Sequence, residues 1–303
     1  MQFPPYTQQP SRQYSGNNKT ISEFISGESN NVDDKVVESF GEEWTKFSSF
    51  DEAEVDKIGD LYFDILPAEI YSADTSVLDV GCGTGRWTKY LAKRVGLIDA
   101  VDPSEAILAA DKFLKDFPNV RLTKATSEAL PFADNTYDMV MSIGVLHHIP
   151  DTQKAMMDCV SKVKRGGYFY TYLYYSLDNR GMIFKSIFWL SNLLRRMISK
   201  FPAGVKKITC DILAVIIYMP FILMARFLHA IVLKKIATRI PLSIYRDKSF
   251  FIIRNDSLDR FGTPLEQRFS RAQIQDMMSK CGLSDIKFSE AAPYWHAIGK
   301  KVI

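Results

Sequence analysis

One short segment decides the fold: Val77-Leu78-Asp79-Val80-Gly81-Cys82-Gly83-Thr84-Gly85. An apolar strand runs directly into a turn with glycine at every second position, and a helical pattern follows over residues 86–94. Glycine lets the backbone turn sharply and approach a ligand closely. A dinucleotide loop favours G-x-G-x-x-G, so the G-x-G-x-G spacing points away from NAD. On its own, the segment predicts either a nucleoside-binding loop or a turn that only connects strand to helix.

Short apolar runs alternate with helical runs around this segment. The strand candidates are residues 77–80, 97–101, 120–123, 137–143 and 168–173. Such alternation implies βαβ units and a parallel sheet. Near the end of the chain, Ser270 is a good N-cap for a helix that stops at Gly282, and residues 286–289 and 294–302 are further strand candidates. The pattern predicts an α/β fold: a Rossmann-like, mostly parallel seven-stranded sheet with helices on both faces, plus an apolar helical insertion.

The sequence divides into five parts. Residues 1–30 hold too few large apolar side chains to offset the entropy of ordering them, so we expect a disordered tail. Residues 31–75 are predicted to form an N-terminal helical cover with one apolar face. The remaining parts are a Rossmann-like core at 76–175, a basic, apolar helical insertion at 176–248, and a C-terminal part at 249–303 that completes the sheet.

Two further motifs strengthen the ligand-binding interpretation. Asp102 ends the next predicted strand, about 20 residues beyond the glycine turn. In nucleoside-binding sheets, a carboxylate at that place accepts hydrogen bonds from both ribose hydroxyls. The other motif contains Leu130-Pro131-Phe132 and ends in Val145-Leu146-His147-His148. A glycine turn followed by an acid at this distance is much less expected by chance than either feature alone.

Over residues 76–173 these motifs resemble the class I S-adenosylmethionine (SAM) dependent methyltransferases, and among them the small-molecule branch that includes quinone methyltransferases. The resemblance implies SAM as the cofactor. The residues that it implies around SAM are Asp79, Gly81, Gly83, Gly85, Asp102, Ser127, Glu128, Ile143 and Gly144. The first four would surround the methionine half, Asp102 would hold the ribose, the next two would lie beside the adenine, and the last two would line the sulfonium side. Thr126 departs from the family pattern, because relatives often have an acidic residue there.

Segments outside this core resemble a less characterised group of bacterial methyltransferases with a long insertion, often associated with surface-polysaccharide loci. The matching segments are residues 39–44, 172–175, 258–269 and 293–295. The candidates for the acceptor pocket are aromatic and paired polar residues at the end of the fifth predicted strand and in the last third of the chain: Tyr172, Tyr174, Tyr245, Arg254, Asp256, Arg260, Glu266, Arg268, Tyr294 and His296. For each of them alone, a surface ion pair or a core aromatic is the more ordinary interpretation.

His147 and His148 follow the fourth predicted strand, at the carboxyl edge where open α/β sheets bind ligands. Methyl transfer from a sulfonium needs no protein nucleophile, and a general base matters only for a hydroxyl or an acidic carbon. One of the two histidines is our candidate catalytic base. The alternative is that one imidazole packs under the cofactor and the other caps the helix that begins near Asp151. No metal is expected, because a histidine pair without a placed carboxylate is a thin basis for a metal site.

The insertion has an unusual charge balance. Residues 180–240 hold eleven Lys and Arg but only one acid, Asp211. Its first part has the pattern of a basic amphipathic helix, and residues 212–233 form an apolar stretch long enough to span roughly 30 Å of bilayer. Lysines flank this stretch on both sides, so no charge asymmetry favours a single crossing. Two interpretations of the insertion therefore stay open, a helical lid over the acceptor and a contact with a membrane.

The leading hypothesis is a SAM-dependent methyltransferase acting on a small or lipid-linked acceptor, with oxygen favoured over carbon. The alternatives are a catalytically inactive SAM-binding membrane adaptor and a C-methyltransferase acting on a quinone-like acceptor. We also expect contact with an anionic membrane surface through residues 180–240, and no nucleic acid partner. The four cysteines are far apart and the polar N-terminus lacks the pattern of a secretory signal. We therefore expect a cytoplasmic location, peripheral at the inner face of the membrane.

Overall fold

A computed structural model of the chain describes residues 2–25, 31–34, 36–38, 52–177, 181–231, 234–237, 240–248, 250–263, 265–291 and 295–302. The strands are β1 (Arg12–Ser15), β2 (Thr20–Glu23), β3 (Ser76–Val80), β4 (Leu97–Val101), β5 (Val120–Lys124), β6 (Tyr137–Ile143), β7 (Val163–Tyr172), β8 (Leu283–Phe288) and β9 (His296–Lys301). The α-helices are α1 (Glu52–Tyr62), α2 (Arg86–Ala92), α3 (Ala106–Phe113), α4 (Thr152–Ser161), α5 (Met182–Ile198), α6 (Ala203–Leu213), α7 (Met219–Ala230), α8 (Lys234–Ala237), α9 (Phe250–Gly262) and α10 (Arg271–Lys280). The chain forms two compact units: a first unit of Met1–Asp178 with Leu265–Ile303, and a second unit of Asn179–Pro264.

The first unit is built on one sheet with the strand order β1-β2-β5-β4-β3-β6-β7-β9-β8. Neighbouring strands from β2 through β7 are parallel, whereas β9 is antiparallel to both β7 and β8. Strands are present at all seven predicted places and the predicted fold class is confirmed, but the described residues form a sheet of nine strands instead of seven. The strand order changes direction at β3, which lies between β4 and β6. Open α/β sheets bind ligands at such a switch point, beyond the carboxyl ends of the strands.

Alternating residues of the central strands face two separate hydrophobic clusters. Val77 and Met139 are fully buried in one cluster, together with the apolar face of α2. Leu78 and Val140 are fully buried in the other, together with the apolar face of α4. Because successive side chains of a strand point to opposite faces, this division places packed helices on both faces of the sheet.

The N-terminal residues correct the expectation of a disordered tail at 1–30. β1 and β2 form an antiparallel pair, and β2 extends the sheet by pairing in parallel with β5. Ile21 is fully buried. The carboxylate of Asp111 accepts hydrogen bonds from the backbone N–H of Asn17 at 2.5 Å and of Lys19 at 2.7 Å. Main-chain pairing and one buried carboxylate thus order a segment that has few large apolar side chains.

The second unit is a helical cluster with its own core. α6, a π-helical segment (Ala214–Tyr218) and α7 follow one another without a break. Ile253 and Phe261 of α9 are buried with Cys210, Tyr218 and Ile222 of these helices. The predicted boundary at residues 248 and 249 is therefore wrong, because α9 packs into the helical unit instead of completing the sheet.

Four of the acceptor-pocket candidates make contacts inside the second unit. Arg254 donates to the carboxylate of Asp211, with Nε and Oδ1 2.7 Å apart. The hydroxyls of Tyr218, at 2.9 Å, and of Tyr245 both donate to the carboxylate of Asp256. The guanidinium of Arg260 lies 4.3 Å from the ring centroid of Phe188. These contacts account for Tyr245, Arg254, Asp256 and Arg260 as structural residues of the helical cluster.

The two segments of the first unit that border the second unit lie side by side. The backbone N–H of Phe269 donates to the carbonyl of Tyr174 at 2.9 Å, and that of Ser176 donates to the carbonyl of Phe269 at 3.0 Å. Tyr175 and Phe269 form a parallel bridge. The two segments of the first unit on either side of residues 179–264 in the sequence are therefore paired with each other just beyond the end of β7.

Two parts of the predicted organisation lie outside the described residues. α1 and a short 3-10 helix (Ala68–Ile70) belong to the predicted helical cover, but residues 39–51 of that cover are not described. Tyr294, predicted to begin the last strand and to reach the acceptor pocket, falls within the gap at 292–294. The described strand β9 begins at His296.

Candidate active site

The glycine turn joins β3 to α2. Gly81, Gly83 and Gly85 have φ angles of 80°, 54° and 81°, a region that glycine adopts readily and other residues do not. A Cβ atom on Gly81 would lie 2.4 Å from Val145, and one on Gly85 would lie 2.5 Å from Leu114. At Gly83, no described atom lies within 4 Å of the Cβ position. The outer glycines therefore permit close packing, while the middle one leaves open space beside the turn.

Asp102 lies just beyond β4 and connects that strand end to the glycine turn. Its Oδ2 atom accepts a hydrogen bond from the backbone N–H of Gly83 at 2.8 Å. Its Oδ1 atom accepts from the backbone N–H of Ser104 at 2.9 Å and from the hydroxyl of Ser104 at 2.6 Å. Burial raises the pKa of this carboxyl, and the hydrogen bonds oppose the rise. The two segments predicted to hold the ribose and the methionine half are thus directly linked.

Asp79, the fourth residue of β3, is buried behind the turn. Its carboxylate accepts a hydrogen bond from the hydroxyl of Thr88 at 2.6 Å. Burial raises the pKa of Asp79 to about 7; the hydrogen bond from Thr88 lowers it and the negative charge of Asp102 adds to the rise. A carboxyl that is half ionised near neutral pH responds strongly to a nearby cation.

The two residues predicted beside the adenine lie in a short 3-10 helix (Ser127–Ala129) that follows β5. The hydroxyl oxygen of Ser127 is buried and has no hydrogen-bond partner among the described residues. Glu128 pairs instead with Lys154 of α4, with 3.3 Å between Oε2 and Nζ. Ser127 is thus the better placed of the two to meet a ligand.

Ile143 and Gly144, predicted on the sulfonium side, end β6 next to β3. Ile143 is buried. Gly144 has a φ angle of 78° and donates its backbone N–H to the carbonyl of Tyr172 at 3.0 Å. As at Gly83, nothing in the described part of the chain lies within 4 Å of its Cβ position. The open positions at Gly83 and Gly144 therefore lie beyond the ends of the neighbouring strands β3 and β6.

His147 and His148 belong to a 3-10 turn (Leu146–His148) directly after β6. Their ring centroids are 4.1 Å apart, and His147 stacks on Tyr174 with 3.9 Å between centroids. Nδ1 of His148 lies 2.7 Å from the carbonyl oxygen of Leu265 and donates to it, which places the ring lone pair on Nε2. Burial lowers the pKa of His147 well below its usual 6.5, and the neighbouring His148 and Arg268 add to this effect. The two rings therefore differ: His147 is a packed, neutral imidazole and His148 has the tautomer that a general base requires.

Neither histidine caps the following helix. The side chain of Asp151 accepts a hydrogen bond from the backbone N–H of Lys154 at 2.9 Å and so caps α4 itself. The alternative in which one of the histidines served as this cap is therefore wrong.

Residues 265–269 hold the histidine turn in place, and sequence reasoning did not assign them this role. The backbone N–H of Gln267 donates to the carbonyl of His147 at 3.0 Å, and its side-chain amide donates to the carbonyl of Ile149 at 2.8 Å. Arg268 pairs with the nearly buried Glu266, with 2.7 Å between Nε and Oε1. Arg268 also lies over the ring of Tyr174, with 5.1 Å between its Cζ atom and the ring centroid, so this pair lies near the histidine turn.

A row of aromatic rings borders the same strand ends. Tyr62 packs on Trp87 of α2, with ring centroids 4.2 Å apart, and on His296 at 4.5 Å. His296 lies 4.9 Å from Tyr172, which in turn lies 5.9 Å from Tyr174. The row thus extends from the helix after the glycine turn to the ring that stacks on His147. We call these five residues, Tyr62, Trp87, His296, Tyr172 and Tyr174, the aromatic row.

SAM fits the residues at this edge. Its ribose needs a carboxylate, which Asp102 provides, and its adenine needs a polar partner, for which the unpartnered hydroxyl of Ser127 is suited. The Cβ positions of Gly83 and Gly144 face open space, so the backbone of these two glycines is accessible to a ligand at this edge. Within the described ranges, no group of three or more His, Cys, Asp and Glu side chains is arranged to hold a metal ion.

Comparison with known proteins finds similarity to methyltransferases over part of the chain. Residues 78–171 match a family model described as a methyltransferase domain. The chain is similar to a demethylmenaquinone methyltransferase of Shouchella clausii, 36% identical over 101 residues that cover 31% of this chain and 43% of that protein. It is also similar to a ubiquinone biosynthesis O-methyltransferase of Pseudomonas fluorescens, 35% identical over 98 residues that cover 31% and 42% of the two chains. The solved structure of a SAM-dependent methyltransferase from Aquifex aeolicus shares 16% identity and a TM-score of 0.43, covering 84% of this chain and 100% of that one.

The chain therefore carries a SAM-dependent methyltransferase domain. That domain is the Rossmann-like core of the first unit, between Leu78 and Thr171. The chain spans less than half the length of these curated relatives, and the second unit lies outside the residues that match the family model.

Proposed function

We propose that the chain transfers a methyl group from SAM to an oxygen atom of a small or lipid-linked acceptor. One observation carries the proposal: the carboxylate of Asp102 is hydrogen-bonded to the glycine turn at 2.8 Å, at the same strand edge as His148. Because β3, β4 and β6 are parallel, their carboxyl ends meet at one edge of the sheet. A cofactor site and a candidate proton acceptor are thus adjacent.

The residues of the chain have separate tasks in this reaction. SAM supplies a methyl group on a sulfonium that is already activated for displacement. Asp102 and Ser127 hold and orient the cofactor, and Asp79 places a partly ionised carboxyl behind the turn. Nε2 of His148 accepts the proton of the acceptor hydroxyl as the new C–O bond forms and the S–C bond breaks. Such a base contributes about 100-fold to 10,000-fold, and positioning supplies the larger share.

Two alternatives differ from this proposal, one in the atom that is methylated and the other in the absence of any methyl transfer. The relatives are named for demethylmenaquinone methylation and for an O-methylation in ubiquinone biosynthesis. These names favour a quinone-like acceptor and keep C-methylation of such a ring as an alternative. An inactive SAM-binding adaptor would keep the contacts of Asp102 but transfer nothing.

Transfer of label from tritiated methyl-SAM separates these possibilities. The chain is incubated with membrane lipid extract, a quinol fraction and a polysaccharide extract, with a protein-free reaction as the blank. Mass spectrometry of the labelled product then distinguishes an O-methyl from a C-methyl group. Label in an O-methylated product supports the proposal. SAM binding by calorimetry without any transfer would identify an adaptor, and a C-methylated ring would identify the quinone alternative.

We further propose that the second unit contacts an anionic membrane surface. Of the residues described, one helix, Gly204–Ala230, is long and apolar enough to cross a membrane by length and composition, and 28% of its most apolar window is buried. One face of this helix is buried in the unit and contains Cys210, Ala214, Tyr218, Ile222 and Ala225. The opposite face exposes Ile208, Ile212, Val215, Ile216, Leu223 and Phe227. Because one face already has protein partners, contact in the plane of the membrane is favoured over a crossing.

Helix α5 adds a second exposed apolar stripe with basic neighbours. Trp189 is 67% exposed, and Leu190, Leu193 and Met197 are also exposed. Exposed basic side chains lie on and beyond the same helix: Lys185, Arg196, Lys200 and Lys207. Contiguous exposed apolar patches mark interaction surfaces, and basic residues near an anionic bilayer contribute about 1 kcal/mol each.

Liposome co-sedimentation of the full-length chain tests the membrane contact. We expect it to pellet with anionic vesicles at low salt and to be released at high salt. A variant with Lys185, Arg196, Lys200 and Lys207 changed to Glu should stay in the supernatant. The matched control changes four exposed lysines of the first unit to Glu, namely Lys57, Lys112, Lys115 and Lys287, and should still pellet. If the chain never pellets with the vesicles, the alternative of a helical lid is supported. If it pellets regardless of salt and of the charge changes, the apolar helix is inserted into the membrane and the peripheral contact is wrong.

A further inference from the structure

The imidazole of His296 is enclosed in the first unit and lacks polar contacts. The residue is fully buried. Neither Nδ1 nor Nε2 has a hydrogen-bond partner among the residues that the structure describes. Buried polar groups in proteins are hydrogen-bonded in the great majority of cases, so an imidazole left unpaired on both sides calls for a specific reason. A ligand that hydrogen-bonds the ring during the reaction would provide one.

The position of His296 places it at the candidate active site. It is the first residue of β9 and pairs across the sheet with Tyr172, the last residue of β7. The carbonyl of Tyr172 accepts the backbone hydrogen bond of Gly144, whose open side faces the cofactor in the proposed function. Because β9 is antiparallel to β7, its beginning lies at the same edge as the carboxyl ends of the parallel strands.

Aromatic rings surround His296 on the side of the cofactor site. Its centroid lies 4.5 Å from that of Tyr62 and 4.9 Å from that of Tyr172. Both tyrosines are partly exposed, whereas His296 is fully buried. A planar ligand that displaced either tyrosine ring would lie against the imidazole.

We infer that His296 binds the methyl acceptor, by a hydrogen bond between its imidazole and a hydroxyl of an aromatic ring that stacks within the aromatic row. The inference rests on the proposed methyl transfer and names the acceptor class for the same site. A neutral imidazole has one donor and one acceptor, and therefore suits a neutral phenol or hydroquinone hydroxyl better than a carboxylate or phosphate. Burial lowers the pKa of His296 to about 4, which keeps the ring neutral at physiological pH.

In this assignment, His296 binds and orients the methyl acceptor, and His148 remains the proton acceptor. The stacked rings fix the plane of the acceptor, and the hydrogen bond to His296 fixes its rotation within that plane. Such orientation matters because an in-line displacement tolerates little misplacement of the attacking oxygen.

The test uses catechol and 2-naphthol as probes, with the full-length chain saturated with S-adenosylhomocysteine. Probe binding is measured by calorimetry and by the NMR signal of the His296 C2–H in protein labelled with ¹³C-histidine. The chain has four histidines, so the signal is assigned by its loss in the His296→Phe variant. We expect at least one probe to bind and shift this signal, and His296→Phe to weaken its binding at least tenfold.

The variant also separates a ligand role from a structural one. His296→Phe keeps a planar aromatic ring of somewhat larger size and removes two unpaired polar atoms, so its melting temperature should not fall substantially, and its affinity for S-adenosylhomocysteine should be unchanged. His229→Phe, in the second unit, is the matched control and should bind the probes like the wild type. Equal probe affinity in wild type and His296→Phe would overturn the inference, and so would a wild type that binds neither probe. Probe binding through His296 without methyl transfer from SAM would leave this assignment standing and count against the proposed function.

Discussion

The carboxylate of Asp102 accepts a hydrogen bond from the backbone N–H of Gly83, and 2.8 Å separates the two atoms. This contact joins the end of β4 to the turn after β3, so the acid influences the shape of the glycine turn as well as the ribose site. The same carboxylate is held by two hydrogen bonds from Ser104. It is therefore oriented before any ligand arrives.

Removing this carboxylate should weaken SAM binding. We expect Asp102→Ala to reduce the binding free energy by about 1.5–3 kcal/mol, since a charged hydrogen-bond acceptor is lost. Isothermal titration calorimetry measures the change. The control is Glu105→Ala, which removes a nearby carboxylate with an exposed side chain. Unchanged SAM affinity in a folded Asp102→Ala protein would remove Asp102 from the site.

The two neighbouring histidines should respond differently to substitution. We expect His148→Ala to lower turnover about 100-fold or more while SAM affinity is nearly unchanged, because a base acts on the acceptor. His147→Ala should mainly lower the melting temperature, since its ring packs on Tyr174 and is fully buried. Steady-state kinetics and thermal denaturation separate the two effects. Wild-type turnover in His148→Ala would show that His148 is not the base.

Binding of SAM should release a proton from Asp79. Burial raises the pKa of this carboxyl to about 7, so it is largely protonated below that pH. The positive charge of bound SAM favours the ionised carboxylate and lowers the pKa, and SAM affinity should then rise as the pH rises from about 5.5 to 7.5. Calorimetry at pH 6.5 in buffers of different ionisation enthalpy measures the released proton. Asp79→Asn should show no such release, and an equal release from the variant would assign the proton to another group.

The N-terminal strands should depend on Asp111. Its carboxylate accepts backbone hydrogen bonds from Asn17, Asn18 and Lys19 and is fully buried. We expect Asp111→Ala to lower the free energy of unfolding by about 3 kcal/mol, because the charged acceptor is lost and buried donors stay unpaired. Urea denaturation measures this change, with Asp116→Ala, an exposed acid nearby, as the control. Equal midpoints for the two variants would mean that this carboxylate does not hold the strands.

Local sequence patterns predicted the central sheet well. The G-x-G-x-G turn and Asp102 lie about 20 positions apart, and each buried strand is recognised from its own residues. The chemistry of these features is therefore visible in the sequence itself. The capping box at Ser270 and Gln273 is of the same kind and marks the start of α10 as predicted. Such features do not need tertiary contacts to be recognised.

Contacts between distant segments could not be predicted in this way. β1 and β2 are held by backbone pairing and by Asp111, which lies more than ninety residues away along the chain. The same holds for Leu265, which fixes the tautomer of His148, and for His296, which meets Tyr62 and Tyr172 only in the folded sheet. The boundary of the second unit was misplaced because the apolar residues of α9 suit a helix in either unit.

The ladder between residues 174–176 and Phe269 has a consequence for how the chain acquires its fold. Residues 174–176 and Phe269 are paired within the first unit, so the chain between them, which includes residues 179–264, forms one long loop between paired ends. Closing a loop of that length costs about 2 kcal/mol more entropy than closing a ten-residue loop, because the penalty grows only with the logarithm of length. Pairing of β7 with β9 readily offsets such a penalty. Carrying the helical unit as an insertion between these paired ends therefore adds only a small entropic cost to formation of the sheet.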